Sequence, residues 1–193
     1  MKGPAAAKAV SGGFLDLVRR RQSTRRYLPR PVEREKIAAC LEAARLAPSA
    51  SNTQPWRFVI VDDPQLRALL SRQARGPLGS FNTFVPQAPV IVAVATAGGR
   101  PRARIGGLLK NRDYRLIDIG IASAQFCLQA TELGLGTCML GWFDERGVRR
   151  TLGIPPGQRV HLLITVGYPA DPLPRPKKRK GLQQIHAYNR YQE

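Results

Sequence analysis

Arg21, Gln22, Ser23, Thr24 and Arg25 form the run R-Q-S-T-R, in which two guanidinium groups flank a small hydroxyl at alternating positions. Guanidinium forks donate to oxyanions in bidentate pairs, and Ser23 adds a short hydrogen bond, so the set suits a phosphate. By its residue types alone the run also fits a solvated basic turn. A second cluster lies in A-P-S-A-S-N-T-Q-P-W, residues 47–56. There Pro48 stops a helix, and Ser49, Asn52 and Gln54 bring hydroxyl and amide groups suited to the edge of a flat heterocycle and to a polyol chain. Trp56 reads as core.

The rest of the chain offers little to a catalytic pair. Of its two histidines, His161 falls within an expected strand as a packed residue, and His186 lies near the C-terminal end. No pair of acidic residues has the spacing of a two-carboxylate hydrolase. Cys40, Cys127 and Cys138 are far apart and odd in number, which argues against a disulfide framework or a zinc knuckle. G-x-S-x-G, H-E-x-x-H and the phosphate-binding G-x-x-x-x-G-K are absent. An enzyme built from these residues leaves its hard chemistry to a bound cofactor.

The 193 residues carry 31 Lys plus Arg against 13 Asp plus Glu, a formal charge of +18. Three uses of that charge compete: nucleic acid, a membrane surface, or an anionic cofactor. The excess gathers at Arg19–Arg21 with Arg25 and Arg26, in residues 100–115, and in residues 177–180. An apolar content of 43% is enough for one ordinary domain. No run of about 18 apolar residues marks a spanning helix, and the expectation is a soluble cytoplasmic protein.

These residues must be positioned by alternating strands and helices. Residues 1–13 read as a flexible leader, 14–170 as one domain and 171–193 as an extended C-terminal arm. Helices are expected from Phe14, over 33–46 (Ile37, Leu41 and Ala44 on one face), after Pro64, over 117–133 and near 145–151. Strands are expected at 57–61, 90–95, 137–141 and 160–166. Residues 76–89, with Phe81 and Phe84 exposed, read as a loop or broken helix, and 100–115 as a surface lid. The 117–133 helix carries two apolar stripes, Ile117, Ile121, Ala124, Leu128 and Ile119, Ala122, Phe126, Leu133. A helix apolar on most of its circumference needs a second covering surface, here a partner subunit. Gly134-x-Gly136 ends a helix instead of opening one, which disfavours a Rossmann domain.

Taken together, R-Q-S-T-R-R-Y-L-P-R-P-V, L-E-A-A-R-L-A-P-S-A-S-N-T-Q-P-W-R-F-V-I-V, D-I-G-I-A and E-L-G-L-G-T-C-M-L-G-W-F resemble the nitroreductase family of flavin enzymes, in matching order over roughly residues 14–190. The resemblance implies an α+β fold with a central mixed, mostly antiparallel sheet flanked by helices. It also implies an intertwined homodimer with an exchanged C-terminal arm, holding FMN at the subunit interface. Arg21 and Ser23, supported by Gln22, match the family's phosphate contacts, and Arg25 the cation near N1 and O2 of the flavin, where positive charge favours the reduced anion. Pro48, Ser49, Asn52 and Gln54 match the loop lining the flavin. Met139, Leu140 and Gly141 match the strand that approaches N5. Many relatives carry an acidic residue where Leu140 stands, so a hydrogen bond from that side chain is not expected here. Lys178 and Lys180 are the arm cations chosen for the phosphate.

The implied function is an FMN-dependent oxidoreductase that moves hydride from NADH or NADPH through N5 to a small electron-poor acceptor such as a nitroaromatic or quinone. No side chain is required as a general acid. The acceptor choice is placed in the 81–84 loop and the 100–115 lid. Two alternatives stay open: another flavin reaction on the same fold, reductive dehalogenation or flavin fragmentation, and a basic nucleic-acid-binding module. Against the latter, Tyr27, Phe81, Phe84 and Trp142 form no evident stacking array.

Overall fold

β-branched and aromatic runs bounded by Pro, Gly and Asp become the strands β1 (Trp56–Val61), β2 (Val90–Thr96), β3 (Gly136–Leu140) and β4 (Val160–Gly167). They are seen in a computed structural model that describes residues 13–76, 81–97, 113–171 and 173–191. The strand order is β1-β2-β4-β3, with every neighbouring pair antiparallel. The only parallel pairing among the described residues is the bridge of Ser23 to Thr137 at the β3 edge, which supplies the mixed character expected. β2 is buried along its whole length, as its unbroken apolar run V-I-V-A-V-A requires of a strand covered on both faces.

Helices cover both faces. They are α1 (Phe14–Arg20), α2 (Arg34–Arg45), α3 (Pro64–Ala74), α4 (Tyr114–Glu132) and α5 (Glu145–Thr151). Asp63 caps α3 by accepting from the Leu66 N–H, with Pro64 in the first turn where its missing N–H costs nothing. Asp144 caps α5 in the same way through the Gly147 N–H. One core layer joins α2 and α4 to the sheet through Ile37, Ala44, Ile119, Ala122, Phe126, Val92 and Ile164. The Phe126 ring stacks on Phe58 of β1, centroids 5.8 Å apart. The second layer sets Leu70, Val85 and Val148 against Ile91, Ala93 and Leu163.

α4 separates its two stripes as its sequence demands. Ile119, Ala122 and Phe126 are buried, whereas Leu116 and Ile117 are 49% and 58% exposed. α1 adds Phe14, Leu15 and Val18 to the exposed apolar surface. Of the two aromatics expected at the surface in residues 76–89, only Phe81 is exposed. Phe84 is half-buried against the second core, because Val85–Gln87 winds into a 3-10 turn that pulls it inward. Residues 1–12 of the expected 1–13 leader, residues 77–80, and residues 98–112, which take in all but 113–115 of the expected 100–115 lid, lie outside the described residues.

Candidate functional site

The R-Q-S-T-R run leaves α1 at Arg21, whose N–H still bonds the Leu17 carbonyl. It then lies beside β3, with the Thr24 N–H donating to the Thr137 carbonyl at 2.8 Å. Tyr27, buried, pins the following turn: its hydroxyl donates to the Thr24 carbonyl at 2.8 Å and shares a hydrogen bond with the Thr165 hydroxyl at 2.7 Å. Gly136 is required here, because a Cβ at this position would run into the Thr24 side chain. Thr24 is thus buried, Ser23 and Arg21 half-buried and Arg25 exposed. Beneath the run, burial pushes the Cys138 thiol up, against the pull of Arg25 and of a Ser23 hydrogen bond. Burial likewise pushes Cys40 up to about 12 and Cys127 up to about 11. These thiols are packing groups, not nucleophiles.

The arm returns to the same place, in the same chain. The Arg175 backbone N–H donates to the Gln22 amide oxygen at 3.1 Å, and its guanidinium donates to the Ser23 carbonyl at 2.7 Å. The Lys177 ammonium donates to the Val18 carbonyl at 3.1 Å and to that of Arg19, closing the C-terminal end of α1. Desolvation lowers the pKa of Lys177, and the neighbouring charges of Arg21 and Arg179 lower it further. None of Arg21, Arg25, Arg175, Lys177 or Arg179 has a carboxylate within salt-bridge distance among the described residues. Gathering uncompensated cations costs free energy, and a bound anion removes that cost. Lys178 and Lys180, chosen from the sequence, are exposed, with no side-chain partner among the described residues.

The second polar cluster lies at the opposite edge of the sheet, ahead of β1. Ser51, Asn52 and Gln54 all have left-handed backbone, at φ 51°, 52° and 47°. Each such non-glycine residue costs of order 1 kcal/mol or more, and a run of them marks a segment held by its surroundings. The Ser49 hydroxyl accepts from the Gln54 N–H at 3.0 Å, the Gln54 side-chain amide donates to Asn52 Oδ1 at 2.9 Å, and the Ala50 N–H donates to Asp118 Oδ1 on α4 at 3.2 Å. Pro48, Asn52 and Gln54 are exposed and Ser49 half-buried. Trp56 packs partly buried against the first core layer.

On β3, Met139 is 38% exposed, whereas Leu140 is buried in the second core layer. Leu140 therefore offers a ligand only its backbone. A Cβ on Gly141 would meet nothing among the described residues, so the backbone at that corner is open to close approach. Met139, Gly141 and the 21–25 run share the β3 edge, and the 48–54 loop belongs to the β1 edge. Three inter-strand spacings, roughly 14 Å, separate the edges. A single chain therefore holds two groups of candidate residues, one at each edge of the sheet.

The Nitroreductase family profile matches residues 18–168. The chain belongs to the nitroreductase family. Among its family relatives, a Streptococcus pyogenes protein provisionally named an NAD(P)H nitroreductase is 29% identical over 200 residues, covering 89% of this chain and 97% of its own. An iodotyrosine deiodinase of Thermotoga neapolitana is 27% identical, covering 83% of this chain and 90% of its own. The solved structure of an FMN-dependent nitroreductase from Clostridium difficile superposes with a TM-score of 0.73 at 26% identity, over 92% of this chain and 100% of that one. The nitroreductase fold expected from the motifs is the fold observed. Arg175 and Lys177 escaped the sequence reading, and Asp118, which opens the D-I-G-I-A motif, is given no role there. Arg175 and Lys177 stand among five cations in residues 175–180 with nothing local to set the register, and Asp118 is one acid at the edge of an apolar helix.

Proposed function

We propose that the chain is one subunit of a homodimeric, FMN-dependent oxidoreductase that takes hydride from NADH or NADPH and delivers it to a small electron-poor acceptor such as a nitroaromatic or quinone. The observation that carries this reading is the placement of a phosphate-type cation cluster and a strained amide-rich loop on opposite edges of one sheet. A second copy joins them, and the exposed stripe of α4 with Phe14, Leu15 and Val18 of α1 is the surface that a second copy buries. The family relatives and the FMN-dependent structural neighbour support the same cofactor.

The donor set fits FMN. Arg21, Ser23, Lys177 and Arg179 hold the phosphate, with Gln22 and Arg175 fixing the backbone beneath it and Lys178 and Lys180 adding charge from the arm. Arg25 brings its cation to the pyrimidine side, and Pro48, Ser49, Asn52 and Gln54 of the partner copy line the ring. Met139, Leu140 and Gly141 offer backbone. FMN held by these residues would supply the redox chemistry, hydride transfer through its N5. The chain itself positions, excludes water and supplies fixed positive charge where negative charge develops. No described helix is long and apolar enough to cross a membrane.

Purified protein titrated with FMN should bind one equivalent per subunit. Anaerobic addition of each nicotinamide should then bleach the absorbance near 450 nm, and a nitroaromatic should restore it. Protein that takes up no FMN ends this reading. The deiodinase relative favours a second acceptor class, halogenated phenols. Release of iodide from an iodophenol, faster than nitroaromatic turnover, would select it. Nucleic-acid binding is less well supported, since the family profile and the FMN-dependent structural neighbour both favour a flavin.

A further inference from the structure

Asp118 is 4% exposed on α4, beside Ile119 of the first core layer, and the contacts of its carboxyl are lopsided. Oδ1 accepts from the Ala50 N–H at 3.2 Å, while Oδ2 is buried without a partner among the described residues. A buried carboxyl oxygen left unsatisfied costs stability, and leucine or asparagine would fit an ordinary helix position better. The single bond Asp118 makes goes to the residue that opens the strained turn: Ala50 precedes Ser51, Asn52 and Gln54, all three in left-handed backbone. Around it, the loop's other hydrogen bonds are internal, Ser49 to Gln54 and Gln54 to Asn52. Asp118 is thus the loop's one side-chain hydrogen bond to the scaffold among the described residues.

We infer that Asp118 is the positioning residue of the 49–54 loop: it holds the Ala50 N–H and thereby keeps Ser49, Asn52 and Gln54 in the conformation that receives the cofactor. The inference rests on the FMN reading above for its consequence, but not for its geometry. A loop held in its binding shape loses less conformational entropy on binding, so its anchor acts on affinity more than on the fold. Asp118 touches no ligand in this scheme and takes no proton.

The test uses full-length protein in four forms: wild type, Asp118→Ala, Asp118→Asn and Ile119→Val, the last a core truncation one residue along. Amide exchange of residues 51–54 in FMN-stripped protein should quicken at least tenfold in Asp118→Ala and stay within threefold of wild type in Asp118→Asn, whose side-chain oxygen still accepts. FMN dissociation constants, from quenching of flavin fluorescence, should rise tenfold or more in Asp118→Ala, recover in Asp118→Asn and stay near wild type in Ile119→Val. Should Asp118→Ala fail to fold, Ala50→Pro removes only the donor, at an exposed site preceded by extended backbone, and should reproduce the loss of FMN affinity. Unchanged exchange in Asp118→Ala, or FMN loss matched by Ile119→Val, overturns the inference. Wild-type protein that binds no FMN refutes the functional reading instead, and the exchange rates alone then decide the role of Asp118.

Discussion

The Arg175 guanidinium donates to the Ser23 carbonyl oxygen at 2.7 Å, across 152 positions of sequence. That bond ties the arm to the run that follows α1, so the second group of cations reaches the first within one chain. Arg175→Ala should leave the fold intact and raise the FMN dissociation constant about three- to tenfold, the scale of a partly exposed charge-assisted bond. Fluorescence titration measures it, and a wild-type constant would show that the arm is held by other contacts.

Arg21 and Arg19 are near neighbours with different surroundings. Arg21 is half-buried and its charge lowers the pKa values of Lys177, Cys127 and Cys138, whereas Arg19 is exposed. Arg21→Ala should weaken FMN binding by tenfold or more, and Arg19→Ala by less than threefold. Equal losses would assign the effect to net charge alone.

The exposed stripe of α4 gives a test of assembly. Ile117→Glu with Ala124→Glu places two charges on that face without touching the buried side of the helix. Sedimentation should show a monomer with native circular dichroism, and FMN should no longer be retained. A dimer that persists would move the interface elsewhere.

Glu33 shows how a surface cluster makes stability depend on pH. The Tyr168 hydroxyl donates to it at 2.6 Å, and with its own backbone N–H, Arg30 and Lys36 this holds the carboxyl down to about 2. Because the folded value lies below the unfolded one near 4.5, its stabilisation is complete above that pH and disappears as pH falls towards 2. The difference in melting temperature between wild type and Glu33→Gln should be largest at pH 6–7 and close only as the pH falls through about 2.

Inside the first core layer, Phe126 is fully buried and stacked on Phe58. Phe126→Ala should cost about 3–5 kcal/mol by leaving a cavity between α4 and β1. Urea denaturation with an unchanged m-value would confirm a pure loss of packing.

Periodicity carried far in this chain. α5 has the bounds expected, and the four strands fall within a residue or two of their expected ends. Strand alternation, helix period and turn residues act over a few positions, so a linear reading captures them. The two-faced α4 was legible for the same reason, since Ile117 and Ile119 lie on different sides of a 3.6-residue turn. What escaped was set by distant contacts. Phe84 turned inward because the 3-10 turn that follows it packs against α3 and the second core layer. Arg175 and Lys177 were selected from a run of cations by where the arm crosses α1, and Asp118 by a backbone N–H 68 positions away.

The division of site residues between the two edges of one sheet has a genetic consequence. In the proposed homodimer, a chain carrying Arg21→Ala and a chain carrying Gln54→Ala should each impair both centres of their own dimer. On co-expression, half of the randomly paired dimers are hybrids in which one centre collects both lesions and the other collects none, so about a quarter of the flavin occupancy returns from two defective parents.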